Sequence, residues 1–279
     1  MQFKFKIQPY QTEAARAVTD VFAGQPNSGA SPYLRDLGRA ADGDGTEALP
    51  GFETQVQASE GYANAPIALG SATLLENIHK VQRRNRIVES SSLATGPAPV
   101  NLDVEMETGT GKTYVYTKTM LELNRLYGWT KFIIVVPSVA IREGVYKSLK
   151  NTEQHFFEQY GKAIRYFVYN SARLGDIDRF SASSDINVMV INMQAFNTSM
   201  KEGGRSKEAR IMYSERDEFA SRRPIDVIAA NNPIVILDEP QKMGGNATQA
   251  GIARFRPIAC LNYSATHKVT HDAVYVLDA

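Results

Sequence analysis

Leu102-Asp103-Val104-Glu105-Met106-Glu107-Thr108-Gly109-Thr110-Gly111-Lys112-Thr113 is the stretch from which the fold is read. Leu102–Met106 reads as a strand and Lys112–Tyr127 as a helix, with a glycine-rich turn between them. That context is what a phosphate-binding loop requires. The glycines let the backbone turn tightly and aim successive N–H groups at an anion, and the helix adds its positive N-terminal end. Lys112 is placed to reach the outer phosphates, and the Thr113 hydroxyl to ligate magnesium. The strict pattern asks for Gly where this chain has Met106, so its first position is not met.

Working outward, the same kind of short apolar run recurs at Phe132–Val136, Ile164–Tyr169, Ile186–Ile191, Ile234–Leu237 and Cys260–Tyr263. Continuous rather than alternating runs suit strands buried on both faces. Helical stretches fall between them at Val139–Lys150 and Ile225–Ala230. The expected architecture is therefore α/β, a mostly parallel sheet flanked by helices on both faces. Upstream, Pro9–Phe22 and Ala72–Arg86 read as helices, the first ended by Gly24. Residues 25–66 read as a long irregular insertion with a short hairpin around Phe52–Gln57. Ser90–Pro99 reads as a polar connector and Lys201–Arg223 as an exposed excursion. Residues 1–99 are thus expected to form an N-terminal extension and 100–279 the main domain.

Composition sets outer limits. The chain has 279 residues, 43% apolar and 22% charged, which excludes wholesale disorder, a coiled coil and a fibrous repeat. One cysteine, Cys260, excludes an intramolecular disulfide and a cysteine-rich zinc cage. The 31 basic and 30 acidic side chains leave a net charge of +1, no whole-chain signature of nucleic-acid binding. The opening MQFKFKIQPYQ lacks an apolar core and does not read as a secretory signal, so the expected location is the cytoplasm.

Two further motifs follow strands. Ile234–Leu237 delivers Asp238 and Glu239, adjacent carboxylates suited to holding magnesium and to orienting an attacking water, respectively. Asn262-Tyr263-Ser264-Ala265-Thr266-His267 closes the next strand, and alone reads as an ordinary turn. His267 and His271, four apart, lack a convincing third metal ligand. Cys260, Met106 and Met243 read as packing. Arg83, Arg84 and Arg86 with Lys80 fit a solvated helix face or a DNA-backbone contact. Tyr10, Tyr114 and Tyr116 fit either core packing or stacking on a base.

Taken in order, these motifs resemble the first motor lobe of a superfamily 2 helicase or translocase. Gly109–Thr113 matches motif I, Asp238–Gln241 motif II and Ser264–Thr266 motif III. Gln8-Pro9-Tyr10-Gln11 resembles the Q motif, which makes Gln11 the adenine reader. Val136–Arg142 resembles motif Ia and Asn192–Phe196 a later strand-binding motif, which points to Pro137, Arg142 and Gln194 as nucleic-acid contacts. In detail, Met-Glu-Thr-Gly-Thr-Gly-Lys-Thr, Asp-Glu-Pro-Gln and Ser-Ala-Thr-His resemble the Res subunit of type III restriction enzymes, where Met106 is expected.

That resemblance implies a P-loop, RecA-like lobe that binds ATP and Mg2+. Thr108, Gly109, Thr110, Gly111, Lys112 and Thr113 would line the nucleotide. Lys112, Asp238 and Glu239 would carry the catalysis, with Thr113 and Asp238 on the metal. Ser264, Thr266 and His267 would couple the site to the rest of the motor, His267 by linking the Asp-Glu pair to the motif III loop. The implied partners are double-stranded DNA and a Mod subunit that recognises its sequence. The resemblance also implies a second motor lobe and a separate nuclease domain beyond Ala279, so the isolated lobe is expected to hydrolyse ATP poorly. A repair or RNA helicase lobe and a non-catalytic nucleotide-binding module are the alternatives.

Overall fold

The computed structural model describes residues 7–34, 60–200, 203–219, 222–243, 245–267 and 270–277. Seven strands form one sheet, and every pairing in it is parallel. In chain order they are β3 (Val100–Glu105), β4 (Lys131–Val136), β5 (Ile164–Val168), β6 (Ile186–Asn192), β7 (Ile234–Asp238), β8 (Ala259–Ser264) and β9 (Asp272–Val276). Across the sheet the order is β5-β6-β4-β7-β8-β3-β9. A separate antiparallel pair, β1 (Ser31–Leu34) with β2 (Glu60–Ala63), flanks the proposed hairpin at Phe52–Gln57, which itself lies outside the described residues.

Helices cover both faces because the central strands alternate two apolar sets. Phe132, Ile134, Val136, Ile234, Ile236, Leu261 and Tyr263 point to one side. There they meet α1 (Pro9–Val21), α2 (Ser71–Arg84), α3 (Lys112–Tyr127) and α4 (Val139–Tyr160). Ile133, Val135, Val235, Leu237 and Cys260 point to the other. That side carries α5 (Gly175–Ala182), α6 (Met193–Ser199), α7 (Lys207–Tyr213), α8 (Pro224–Ala230) and α9 (Asn246–Ala253). A parallel sheet needs such crossover helices, and burying both faces drives the assembly.

Four expectations are corrected. The helix expected over Val139–Lys150 runs on to Tyr160, because Val145, Leu149, Thr152 and Phe156 keep one buried stripe before Gly161 turns left-handed (φ 65°). The stretch Lys201–Arg223 is not simply exposed, since α7 buries Ala209, Ile211 and Met212, and Phe219 is buried after it. β9 adds an edge strand that was not expected. Finally, β3 is apolar on one face only.

On its second face β3 presents Asn101 and Asp103, both buried. The Ser90–Pro99 connector lies over Asn101. Asn101 donates to Ala94 O (3.1 Å) and Ala98 O (2.6 Å), so its burial leaves no orphaned amide hydrogen there.

The N-terminal segment shares the core of the sheet. Ala14, Ala17, Val18, Val21 and Phe22 of the first helical region pack in the same apolar cluster as Val115, Tyr116 and Met120 of α3. Asn64, fully buried just after β2, donates to Lys131 O (2.9 Å) and accepts from the N–H groups of Thr130 (2.7 Å) and Lys131 (2.9 Å). These bonds tie the segment to the start of β4. Among the described residues no helix is long and apolar enough to cross a membrane.

Candidate functional site

Strand order brings the three motifs together. β8 lies between β3 and β7, so the loops leaving these strands emerge side by side at the C-terminal edge of the sheet. This is the edge where ligands bind in open α/β sheets. The register continues past the strands: Met106 N donates to Ser264 O and Glu239 N to Tyr263 O, each at 2.8 Å.

The loop after β3 turns through Gly109 (φ 91°) and Gly111 (φ 86°), conformations that favour glycine, and Gly111 caps α3. Thr108 and Gly109 are exposed at its tip. Gln11 rests behind the loop and donates to Thr110 O (3.2 Å), joined by the Tyr10 hydroxyl at 3.0 Å. A Cβ added to Gly111 would stand 2.8 Å from Gln11 Nε2, so the loop and the Gln11 side chain are fitted to each other.

Lys112 folds back across the loop. Its Nζ lies 2.8 Å from Glu239 Oε1 and donates to Met106 O (3.2 Å) and Glu107 O (3.4 Å). The two paired side chains are each only 10% exposed. Burial pushes the Glu239 carboxyl upward, but hydrogen bonds from Lys112 and Gln241 outweigh it and hold the group below its ordinary value. Asp238 goes the other way. Burial first, then the neighbouring Glu239 charge, raise it to about 6. Glu239 itself adopts a left-handed backbone (φ 59°, ψ 55°), a strained state for a non-glycine residue. That turn lets two successive carboxylates face one loop.

Thr113 opens the second half of the site. Between its Oγ1 and the Asp238 carboxylate stands the buried Tyr116 hydroxyl, 3.2 Å from the first and 3.4 Å from Asp238 Oδ2. Burial and the Asp238 charge push the Tyr116 phenol well above its usual range. Tyr116 is therefore closed to base stacking. Tyr114 is also committed, with its hydroxyl 2.9 Å from His155 Nε2 and its ring against Phe156.

The motif III loop reaches the acidic pair through a residue to which the sequence assigned no role. Gln241 Nε2 donates to Glu239 Oε2, and Ser264 Oγ donates to Gln241 Oε1 at 2.5 Å. Thr266 contributes its backbone, with N–H to Ser264 Oγ at 3.1 Å, while its side chain is exposed. The expected His267 link to the Asp-Glu pair is corrected. Its Nδ1 is 3.7 Å from Asp103 Oδ1, and His271 Nδ1 is 2.9 Å from the same oxygen. The reason is the polar face of β3, which draws both imidazoles. Among the described residues no group of three or more His, Cys, Asp or Glu is placed to hold a metal.

Pro137, Arg142 and Gln194 lie farther along the same edge, beyond β4 and β6, which pair with each other. Arg142 donates to Asn192 Oδ1 (3.2 Å) and pairs with Glu143 (2.8 Å). Gln194 is exposed on α6. On α2, Lys80 pairs with Glu76, Arg83 with Glu89 and Arg84 with Asp20, as a solvated face would. Cys260 and Met106 are core residues, and Met243 is buried.

An all-parallel sheet with helices on both faces, and a glycine loop leading from β3 into α3, defines a RecA-like α/β lobe. The model of the family described as "Type III restriction enzyme, res subunit" matches residues 4–269, and the chain belongs to that family. It is 32% identical over 216 residues to the type III restriction-modification enzyme EcoPI Res subunit of Escherichia phage P1. It is 30% identical over 217 residues to the EcoP15I Res subunit of Escherichia coli. Each match covers 73% of this chain but 22% of the relative, so the chain spans about a fifth of their length. The crystal structure of the UvsW helicase from bacteriophage T4 aligns with a TM-score of 0.34 and 12% identity, over 58% of this chain and 46% of that one.

Proposed function

We propose that this chain is the first ATPase motor lobe of a DNA-dependent translocase or helicase, the restriction subunit of a type III restriction-modification enzyme. In this reading residues 100–279 form the motor lobe and residues 1–99 its extension. The observation that carries it is the convergence of Lys112 and Thr113 after β3, Asp238 and Glu239 after β7, and Ser264 at the end of the intervening β8. The donor set fits a nucleotide with magnesium: an exposed glycine loop at a helix N-terminus, a largely shielded lysine, and a hydroxyl and carboxylate bridged by one phenol.

Thr108 to Gly111 would offer backbone N–H groups to the phosphates. Lys112 would leave Glu239 for the outer phosphate oxygens, and Thr113 and Asp238 would hold Mg2+. Bound there, the metal supplies charge neutralisation at the phosphates. Glu239 then loses its cationic partner. Its carboxyl rises from its depressed value and becomes a better acceptor for a proton of the attacking water. Gln241, itself held by Ser264, donates to the other Glu239 oxygen and would relay its position to the motif III loop. Gln11 would read the adenine while steadying Thr110. Pro137, Arg142 and Gln194 would touch one DNA strand.

By the family's logic, a second lobe supplies the arginine that stabilises the transition state, worth about 10³–10⁵ in rate. The lobe alone therefore binds nucleotide and turns it over poorly. DNA cleavage is assigned to a separate nuclease domain, a Mod subunit is the expected partner, and the cytoplasm is the expected location. The test is ATP hydrolysis by the full-length protein with duplex DNA or RNA added. DNA-dependent hydrolysis that Lys112→Ala abolishes is expected. Stimulation by RNA alone would assign the lobe to an RNA helicase, and no nucleic-acid dependence would make it an assembly module.

A further inference from the structure

We infer that Tyr116 is a positioning residue for the magnesium site: its hydroxyl orients both the Thr113 and the Asp238 ligand atoms. The inference rests on the nucleotide–magnesium reading above and deepens it.

A threonine hydroxyl that gives a lone pair to a cation must send its proton elsewhere. A carboxylate that holds the same cation is best fixed by a donor on its remaining lone pairs. One phenol stands between them. Tyr116 Oη is the donor toward both, 3.2 Å from Thr113 Oγ1 and 3.4 Å from Asp238 Oδ2, and its single proton is shared between the two acceptors. The phenol thereby fixes where each oxygen lies, while Thr113 keeps its own proton and a second lone pair for other partners.

The phenol is held rigidly. Tyr116 is fully buried, one turn into α3, and its ring packs edge-on against Tyr263 with centroids 5.5 Å apart. Tyr263 is pinned in turn by its hydroxyl, which lies 3.1 Å from Thr119 Oγ1. The ring thus links α3, which begins at Lys112, to β7 through Asp238 and to β8 through Tyr263. A bulky buried phenol at this depth has little freedom to leave the two ligands.

The test is nucleotide binding rather than turnover. The affinity of a fluorescent ADP analogue is titrated against Mg2+, and measured again in EDTA, for the wild type, Tyr116→Phe and Tyr263→Phe. Removing a partner that supports a metal ligand costs about 10–100-fold in metal affinity. Tyr116→Phe is therefore expected to raise the half-saturating Mg2+ by about 10-fold or more. Its EDTA affinity should stay that of the wild type, because the ring and its contact with Tyr263 remain. Tyr263→Phe, which deletes an equally buried hydroxyl bonded elsewhere, should leave the Mg2+ dependence alone.

A Tyr116→Phe protein with the wild-type Mg2+ midpoint would overturn the inference while leaving the nucleotide reading intact. An equal shift in Tyr263→Phe, or loss of the EDTA affinity in Tyr116→Phe, would overturn it too by reducing Tyr116 to a core residue. A wild type whose nucleotide affinity ignores Mg2+ would remove the parent reading and this inference together.

Discussion

Replacing Lys112 by Met removes one charge from a pair that water barely reaches. Each side chain is 10% exposed, and the Nζ to Oε1 distance is 2.8 Å. Left behind is Glu239 beside Asp238, two carboxylates in one buried corner with Gln241 still donating to the first. Breaking a buried pair from one side costs about 3–5 kcal/mol when the remaining charge has no escape. Here it has one, since Glu239 can take up a proton. Its ordinary pKa is 4.5, so protonation at pH 7 costs at most about 3.4 kcal/mol, at 1.36 kcal/mol per pH unit. That figure caps the penalty from the unpaired Glu239 charge; what Lys112 contributed by lowering the Glu239 pKa is lost in addition. At pH 5.5 the same ceiling falls to about 1.4 kcal/mol.

The sign follows from the two folded states. In the wild type Glu239 is held below its ordinary value. Its contribution is thus present above pH 4.5 and fades as pH falls. In Lys112→Met the group is raised, so its penalty grows with pH. Urea unfolding of both proteins at pH 5.5 and 7 should show a larger destabilisation at pH 7, by up to about 2 kcal/mol. A pH-independent difference, or one under about 0.5 kcal/mol at pH 7, would mean that Glu239 is solvated and the pair contributes little.

Two more outcomes follow from the same geometry. Gly111→Ala places a Cβ at φ 86° and 2.8 Å from Gln11 Nε2; a loss of about 1–2 kcal/mol in stability and weaker nucleotide binding are expected, by urea titration and fluorescence, and an unchanged protein would show that the loop is not held as described. Lys131, fully buried at the start of β4, donates to Phe180 O and Ser183 O, and burial lowers its pKa to about 7. A neutral amine has two hydrogens for those two carbonyls, and the unfolded chain binds the extra proton between pH 7 and its ordinary 10.5. Stability should therefore rise with pH from about 7 upward relative to Lys131→Met, and parallel pH curves for the two proteins would show that Lys131 stays charged.

The fold was legible where burial is two-sided. Phe132–Val136 is apolar at every position, and Ile186–Ile191 at every position but Asn187, because both neighbouring layers are helices, and the structure buries all of them. The phosphate loop was legible because Gly109 and Gly111 perform a backbone task no other residue does as easily, directly between a strand and a helix. The edge of the sheet was harder. β9 contributes only five residues, Asp272–Val276, and pairs on one side. The N-terminal helices were readable from their apolar stripes, but the packing of α1 on α3 and of α2 on α1 and β9 was not, because helical spacing reveals a buried face without naming its partner.

His267 shows what the apolar-run reading conceals. Read as one continuous run, Leu102–Met106 still contains Asp103 and Glu105, and with Asn101 these make a period-two polar series against Leu102, Val104 and Met106. Counting that alternation identifies a strand with one polar face, and a buried Asp103 must then find partners. Its partners are His267 and His271, which is why His267 is not beside Glu239. The place left open goes to Gln241, two residues past Glu239 and held by Ser264 from the neighbouring loop. Adjacency of Gln241 to the acidic pair was visible in the sequence, but its bond to Ser264 spans 23 residues and depends on β7 lying beside β8. Only the strand order makes that bond possible. The same order gathers Lys112, Glu239, Gln241 and Ser264: motifs far apart along the chain are converted by β3-β8-β7 adjacency into a single cluster in space, to which α1 adds Gln11 through its bond to Thr110 O.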